Sequence, residues 1–319
     1  MKKLFLVLLL LALAVGGWAV FDWRGPGPNP RDGSIQIPSG ATLRSAARQL
    51  QEKGIIRDAE RFRIFSRLFG GNVVIKAGEF AMPAGASARQ VLEILRSGRP
   101  IQRFVTIPEG MPSIIVHERL MAEKLLTGAV AVPPEGSVLP DSYSFERGET
   151  RAALLTRMQA AMTRTLDQLW RARTPNSIVK DKREAVILAS VVEKETGKPQ
   201  ERRLVAGVYT NRLRIGMPLQ ADPTVIYPVT RGKPLGRRIL RSELQADNGY
   251  NTYARAGLPA GPIANPGRES IAAVLNPEQT RALYFVADGT GGHIFAETLA
   301  EHEANVRKWY AIRRERGEM

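Results

Sequence analysis

The strongest hydrophobic signal is at the start of the chain. Leu4 to Phe21 is an uncharged run of 18 residues, set between Lys2-Lys3 and Asp22-Trp23-Arg24. As a helix it would extend roughly 27 Å, enough for the hydrocarbon core of a bilayer. The next ten residues, Arg24 to Gly33, alternate glycine and proline and read as a linker. Beyond them the pattern shortens. Ile35 and Ile37 alternate as a strand, and Thr42 opens a helix carrying Leu43, Ala46, Ala47 and Leu50. A second helix is expected from Asp58 to Phe69, a strand from Val73 to Phe80, a helix opened by Ser87 with Val91, Leu92 and Leu95, and a strand from Ile101 to Ile107. An apolar residue, Pro, any residue and Gly recur at Ile37–Gly40, Met82–Gly85 and Ile107–Gly110, a reused turn from strand into helix. After a loop-like stretch around Glu135–Phe145 come longer helical periods over Thr150–Arg171, Lys180–Thr196 and Glu201–Leu213. The pattern predicts an α+β protein in four parts: an anchor over 1–23, a linker over 24–33, a small α+β module over 34–105 and a larger region over 106–319.

Composition narrows the chemistry. The 319 residues contain no cysteine and three histidines, so thiol nucleophiles and Cys-based metal sites are excluded, and no metal or cofactor is expected. With 46 Lys+Arg against 31 Asp+Glu the formal charge is +15, which calls for an anionic partner. The first helix selects among such partners. Lys2 and Lys3 on its short flank keep the N-terminus cytoplasmic, and Trp18 and Trp23 suit the far interface, so the body is expected outside the cytoplasm and nucleic acid is not its partner. A cleaved signal ending near Gly17-Trp18-Ala19 is the other reading of the same segment.

One carboxyl stands out. With Ile187 at zero on a helical wheel, Val191, Leu188 and Val192 fall at about 40°, 100° and 140°, and Glu195 at about 80°, inside the apolar stripe. A carboxyl aimed into apolar surroundings is desolvated in its charged form, holds its proton nearer neutrality and can serve as a general acid. The alternative is a helix-end carboxylate bending into solvent. Glu193, near 240°, reads as a surface or ion-paired residue. Asp141 reads as a turn or cap residue, and His293 as a structural residue in a hairpin.

Several blocks carry a resemblance. Glu193-Lys-Glu-Thr196, Asn211-Arg-Leu-Arg-Ile-Gly216 running through Gln220-Ala-Asp-Pro-Thr-Val-Ile-Tyr227, Tyr250-Asn-Thr-Tyr253, Gly257–Ile263, Asn265-Pro-Gly267 and Tyr284–Gly289 followed by Gly291-Gly-His293 resemble the endolytic murein transglycosylases of the MltG (YceG-like) family. Ser142 and Ala260 depart from its usual Thr and Pro, which touches loop geometry only. The resemblance implies a single-pass inner-membrane protein with a periplasmic body, in which a small LysM-like module precedes a mixed α+β lytic transglycosylase domain. It implies Glu195 as the catalytic acid, acting on glycan strands of nascent peptidoglycan without a cofactor, and leaves cell-wall synthases as candidate protein partners. One carboxyl suffices for such an enzyme, because the C6 hydroxyl of the sugar replaces water and yields a 1,6-anhydroMurNAc end. Gln220, Asp222, Thr224, Tyr227, Tyr250 and Asn251 are the polar and aromatic residues expected along the sugar cleft; Asp222-Pro223 and Tyr250-Asn251 are also ordinary turn sequences. A non-catalytic glycan-binding scaffold, with Glu195 in a polar, exposed setting, is the rival reading.

Overall fold

In chain order the computed structural model, which describes residues 2–71 and 74–318, contains α1 (Lys2–Arg24), β1 (Gly33–Ile37), α2 (Leu43–Glu52), α3 (Ala59–Gly70), β2 (Gly78–Met82), α4 (Ala88–Ser97), β3 (Arg103–Ile107), α5 (Ser113–Ala122), β4 (Asp141–Phe145), α6 (Arg151–Arg171), α7 (Lys182–Glu195), α8 (Arg202–Arg214), α9 (Asp222–Thr230), α10 (Arg241–Gln245), α11 (Arg268–Leu275), β5 (Tyr284–Ala287), β6 (His293–Ala296) and α12 (Leu299–Glu315). Among the described residues the three sheets are two-stranded, β1–β2, β3–β4 and β5–β6, so the fold is α+β. The chain divides into two compact units, residues up to Arg103 with Ser144–Arg147, and Phe104–Tyr143 with the rest.

In the first unit β1 pairs antiparallel with β2, Gly33 opposite Met82 and Ile37 opposite Gly78. The alternation of Ile35 and Ile37 turns both inward with Phe80 and Met82, where Leu50 of α2 and Leu92 and Leu95 of α4 close the core. Thr42, Asp58 and Ser87 cap α2, α3 and α4 with their side-chain oxygens. Gly40, Gly85 and Gly110 all have φ near +70°, which only glycine adopts without strain, so the three repeated turns share one backbone shape.

Two expectations are corrected here. The strand expected over 73–80 is shorter and later: Val73 lies outside the described residues, and the ladder runs from Gly78 to Met82 because its partner β1 ends at Ile37, before Pro38. The segment 24–33 is not a free linker. Gly27 N donates to Gly85 O at 2.9 Å and Gly85 N to Asn29 O at 2.8 Å; Ala84 N donates to Asp32 Oδ1 at 2.8 Å and Arg57 to Pro26 O at 2.8 Å. Asn29 is buried and donates to Pro83 O. Proline removes donors from this strip but leaves its carbonyls free to accept, which is how it is strapped down.

In the second unit α7 and α8 pack on each other and on α11, and α6 packs on α11. Their shared core holds Leu188, Val191, Val192, Val205, Tyr209, Leu219, Ile271 and Val274. Gly207 in α8 admits the carbonyl of Glu278, which a Cβ there would meet at 2.5 Å. The hairpin β5–β6 and helix α12 complete the unit, α12 opened by the capping box of Thr298 and Glu301.

Candidate active site

Helix α7 differs from a surface helix with one apolar stripe. Every residue from Ala185 to Val192 is buried, including Ser190, whose hydroxyl donates to Ile187 O at 2.7 Å and accepts from Ile263 N at 3.0 Å. The wheel therefore does not single out one inward face; what distinguishes the three motif residues at the end of α7 is what each meets there.

Glu193 accepts from Gly267 N at 2.9 Å and from Arg202 at 3.3 Å, and Arg202 also donates to Glu109 at 2.8 Å. Its side chain is 5% exposed, so it is a buried ion-paired brace and not a solvated surface residue. Lys194 turns outward onto a cleft of about 510 Å³ that Met111, Ile226, Tyr227 and Lys233 also line.

Glu195 is the last residue of α7. The residue is half-buried, but its Oε1 is sealed from solvent and has no hydrogen-bond partner among the described residues. Burial pushes the carboxyl up to about 7; the hydrogen bond from Tyr209 opposes this, the negative charge of Asp222 adds to it, and the Arg212 guanidinium offsets part of it. The carbonyl end of a helix also disfavours an anion. A carboxyl in this state is divided between its acid and base forms close to neutral pH, which suits a group that must give a proton and take one back.

The surroundings of Glu195 come from α8 and the loop behind it. Tyr209 is 1% exposed, its ring set edge-on against Phe285 at 5.8 Å. One turn on, Arg212 is buried and donates to Leu283 O at 2.6 Å, Leu219 O at 2.7 Å and Pro218 O at 3.3 Å, with its guanidinium 5.4 Å from the Tyr284 ring centre. Those bonds fix the loop that carries Gln220, which sits in the left-handed region with φ of 53°. Its N donates to Thr252 O at 3.1 Å, and its side chain is exposed. Asp222 opens α9 and accepts from Tyr253 Oη at 2.6 Å. Asp222-Pro223, for which a turn is the alternative to a place in the cleft, is thus a helix start, where proline is tolerated because the first amides lack partners.

The other expected cleft residues fall into two sets. The rings of Tyr227 and Tyr250 pack at a tilt of 43° with their centres 5.0 Å apart, and Tyr227 Oη donates to Glu135 Oε2 at 3.2 Å. Both rings line a cleft of about 450 Å³ with Glu135, Arg231 and Asn248. Glu135 also accepts from Ser113 N at 2.9 Å and Asn265 at 3.3 Å, and burial raises its pKa. Thr224 and Asn251 are inside the protein. Thr224 Oγ1 donates to Ala221 O at 2.6 Å and meets Thr252 Oγ1 at 2.8 Å. Asn251 Nδ2 lies within hydrogen-bond distance of the Glu243, Leu244 and Ala246 carbonyls, and its Oδ1 accepts from Tyr253 N. Their polar groups are engaged in holding α9 and α10 in place.

Thr196 is buried; its hydroxyl donates to Glu201 Oε2 at 3.3 Å. Glu201 in turn accepts from the backbone N of His293 at 3.1 Å and contacts its ring Nδ1 at 2.7 Å. His293 is thereby a structural residue of the β5–β6 hairpin, and Asp141 opens β4 with its carboxylate accepting from Ser142 N. Tyr209, Arg212, Tyr253 and Glu135 were not among the expected site residues. The first three stand in or beside the quoted blocks, so the signal was present; nothing local marks Glu135.

The YceG-like family model matches residues 35–308, and the chain belongs to that family. It is 27% identical over 315 residues to the endolytic murein transglycosylase of Bacillus subtilis, covering 89% of this chain and 86% of that one. With the endolytic murein transglycosylase of Streptococcus pneumoniae (strain D39) it shares 28% over 357 residues, 95% of this chain but 64% of the longer relative. A crystal structure of a YceG-like protein from Listeria monocytogenes superposes with a TM-score of 0.54 at 25% identity, covering 86% of this chain and 98% of that one.

Proposed function

We infer that this chain is an enzyme, a lytic transglycosylase of murein, and that Glu195 is its acid and base. The observation that carries the reading is the state of Glu195: a carboxyl pushed up to about 7, with one oxygen sealed and unpartnered, in a family whose curated relatives bear that activity. In its protonated form Glu195 donates to the glycosidic oxygen between MurNAc and GlcNAc, and the C1–O bond breaks as GlcNAc leaves. The positive charge left at C1 is met by the substrate's own N-acetyl group. The carboxylate then takes the proton of the C6 hydroxyl as O6 closes on C1, which regenerates the acid and leaves a 1,6-anhydroMurNAc end. No water is consumed, and a second catalytic carboxylate is not needed. The effective molarity of a hydroxyl held against C1 drives the closure.

Asp222 takes part by charge: with one oxygen held by Tyr253, it disfavours ionisation of Glu195 in the resting state. Gln220, Tyr227 and Tyr250 are the exposed or half-buried groups available to sugar, while Thr224 and Asn251 support the loops behind them. The strand–helix–helix–strand order β1-α2-α3-β2 supports a LysM-like glycan-binding role for the first unit. Helix α1 has a mean hydropathy of 2.7 over its apolar window and serves as a single membrane anchor, with the N-terminus cytoplasmic and the body periplasmic. A non-catalytic scaffold is expected to leave Glu195 polar and exposed, and its sealed Oε1 supports the enzyme over that reading.

The test is digestion of purified glycan strands by the full-length chain in detergent and by its Glu195→Gln variant, with product ends read by mass spectrometry. Anhydro ends from the unaltered chain alone are expected. Reducing ends would make it a hydrolase and direct attention to Asp222. A folded chain that binds glycan and cuts nothing would establish the scaffold.

A further inference from the structure

The last turns of α1 are in side-chain contact with α3. Trp23, 5% exposed, meets Phe62, Phe65 and Phe69 with ring centres 6.2, 6.4 and 5.8 Å away. Trp18 sits edge-on to Phe65 at 6.5 Å, with the guanidinium of Arg61 5.4 Å from its ring centre. Arg61 and Arg57 pair with Asp22 at 3.4 and 3.8 Å.

Length then fixes depth. The apolar run Leu4–Phe21 reaches roughly 27 Å, slightly less than the ~30 Å of hydrocarbon it would cross, so none of it can be withheld from the bilayer. Trp18 lies inside that run. Whatever touches Trp18 therefore stands at the rim of the hydrocarbon, and α3 touches it.

The surface of α3 agrees with that depth. With Phe62 at zero on the wheel, Phe69 and Phe65 fall at about −20° and −60°, toward the unit's core and α1. Arg61, Leu68 and Ile64 continue the same flank at about −100°, −120° and −160°. Leu68 is 70% exposed, and Ile64 and Phe69 are each 48% exposed. Leu68 and Ile64 are thus large apolar side chains turned to solvent, and Phe69 keeps one side on Trp23 and exposes the other, on the flank that leads from α1, in a helix that also carries Arg61, Arg63 and Arg67. An apolar flank bordered by arginines is the composition of a helix that rests in a membrane interface.

We propose that α3 lies on the outer surface of the membrane as an interfacial helix, with Ile64 and Leu68 in the lipid, so that the first unit is held against the bilayer at two places. The occupant of the exposed flank is lipid, because α1 already fixes the flank at headgroup depth. This rests on the reading of α1 as a membrane anchor.

The chain has no cysteine, so single labelling sites can be introduced without background. The full-length chain carrying Leu68→Cys, Ile64→Cys, Leu10→Cys or Ser39→Cys, each bearing an environment-sensitive fluorophore, is reconstituted into vesicles of three parts phosphatidylcholine to one part phosphatidylglycerol. Quenching by lipids spin-labelled near the headgroup or deep in the acyl chain is then read. Leu68 and Ile64 are expected to be quenched best by the shallow label, Leu10 by the deep one, and Ser39, in the turn after β1, by neither. Deep quenching at Leu10 with Leu68 and Ile64 both dark to lipid labels would keep the anchor and overturn the interfacial helix. Loss of lipid quenching at Leu10 as well would overturn the anchor and the inference together. None of these readings depends on glycan cleavage, so a failed transglycosylase assay leaves them unaffected.

Discussion

Two glutamates, one in each unit, are withdrawn from water and end in opposite states. Glu79 on β2 is 4% exposed, yet its carboxyl is held down to about 2, because Arg103 donates to it at 3.0 Å and Ser34 and Arg147 add their hydrogen bonds against the cost of burial. Glu195 at the end of α7 is pushed up to about 7 because burial is answered only by the Tyr209 phenol and the charge of Arg212, while the charge of Asp222 adds to the effect of burial. Burial alone does not set the protonation state of a carboxyl. The partners supplied to it do, and here they separate a structural brace from a group that can exchange a proton.

The largest effect expected from disturbing this contrast is at Glu195. Glu195→Gln should lower turnover on glycan strands by about a thousandfold, the middle of the range for a lost general acid, measured as anhydro ends formed per unit time. In the unaltered enzyme kcat/KM should fall as pH rises through about 7, since the acid form begins the reaction. The same substitution should raise the melting temperature above neutral pH. A carboxyl whose folded pKa is raised contributes stability that is present below its unfolded pKa and lost as pH climbs to about 7, and Gln does not ionise.

Arg212→Met comes next. It leaves the carbonyls of Leu283, Leu219 and Pro218 without their donor and should cost about 3 kcal/mol in denaturant melts. Glu79→Gln should cost about 2 kcal/mol, since it removes a charged acceptor from two arginines. The sign of its pH dependence is opposite to that of Glu195: the stability Glu79 contributes is present above its unfolded pKa of 4.5 and is lost as pH falls toward about 2. A variant that lost stability on the alkaline side instead would break the comparison. Smallest is Tyr209→Phe, which removes a hydrogen bond that favours the ionised carboxyl. The alkaline limb of the pH profile should move to higher pH, with a loss of turnover of about tenfold or less.

How much of this could be read from the sequence depended on the range of the interactions involved. Helix starts at Thr42, Asp58, Ser87, Thr150 and Asp181 are marked by side chains that cap their own first turn, so residues three apart suffice to find them. Helix α9 was hidden because Asp222-Pro223 serves a turn and a helix start equally well. The wheel reached Glu195 through a single apolar stripe, whereas α7 is buried on every face from Ala185 to Val192; the groups that tune the carboxyl, Tyr209, Asp222 and Arg212, come to it from elsewhere in the chain. Thr224 and Asn251 looked like sugar contacts because a buried hydroxyl or amide reads the same as an exposed one until its partners, Thr252 and the end of α10, are in place. The 24–33 segment looked free for a similar reason: every bond that holds it has a backbone group on at least one side, and backbone leaves no trace in composition.

That strapped segment changes what sort of tether the protein has. Ten residues of flexible chain would let their ends wander over roughly 17 Å, and whatever hung from them would sample a hemisphere of positions. With Pro26, Gly27, Asn29 and Asp32 tied to the turn at Pro83–Gly85 and to Arg57, that freedom is gone. The first unit has a fixed standoff from the end of α1 in place of a search radius, so if α1 is held in a bilayer, the height at which the unit works is set by the fold as firmly as its chemistry is.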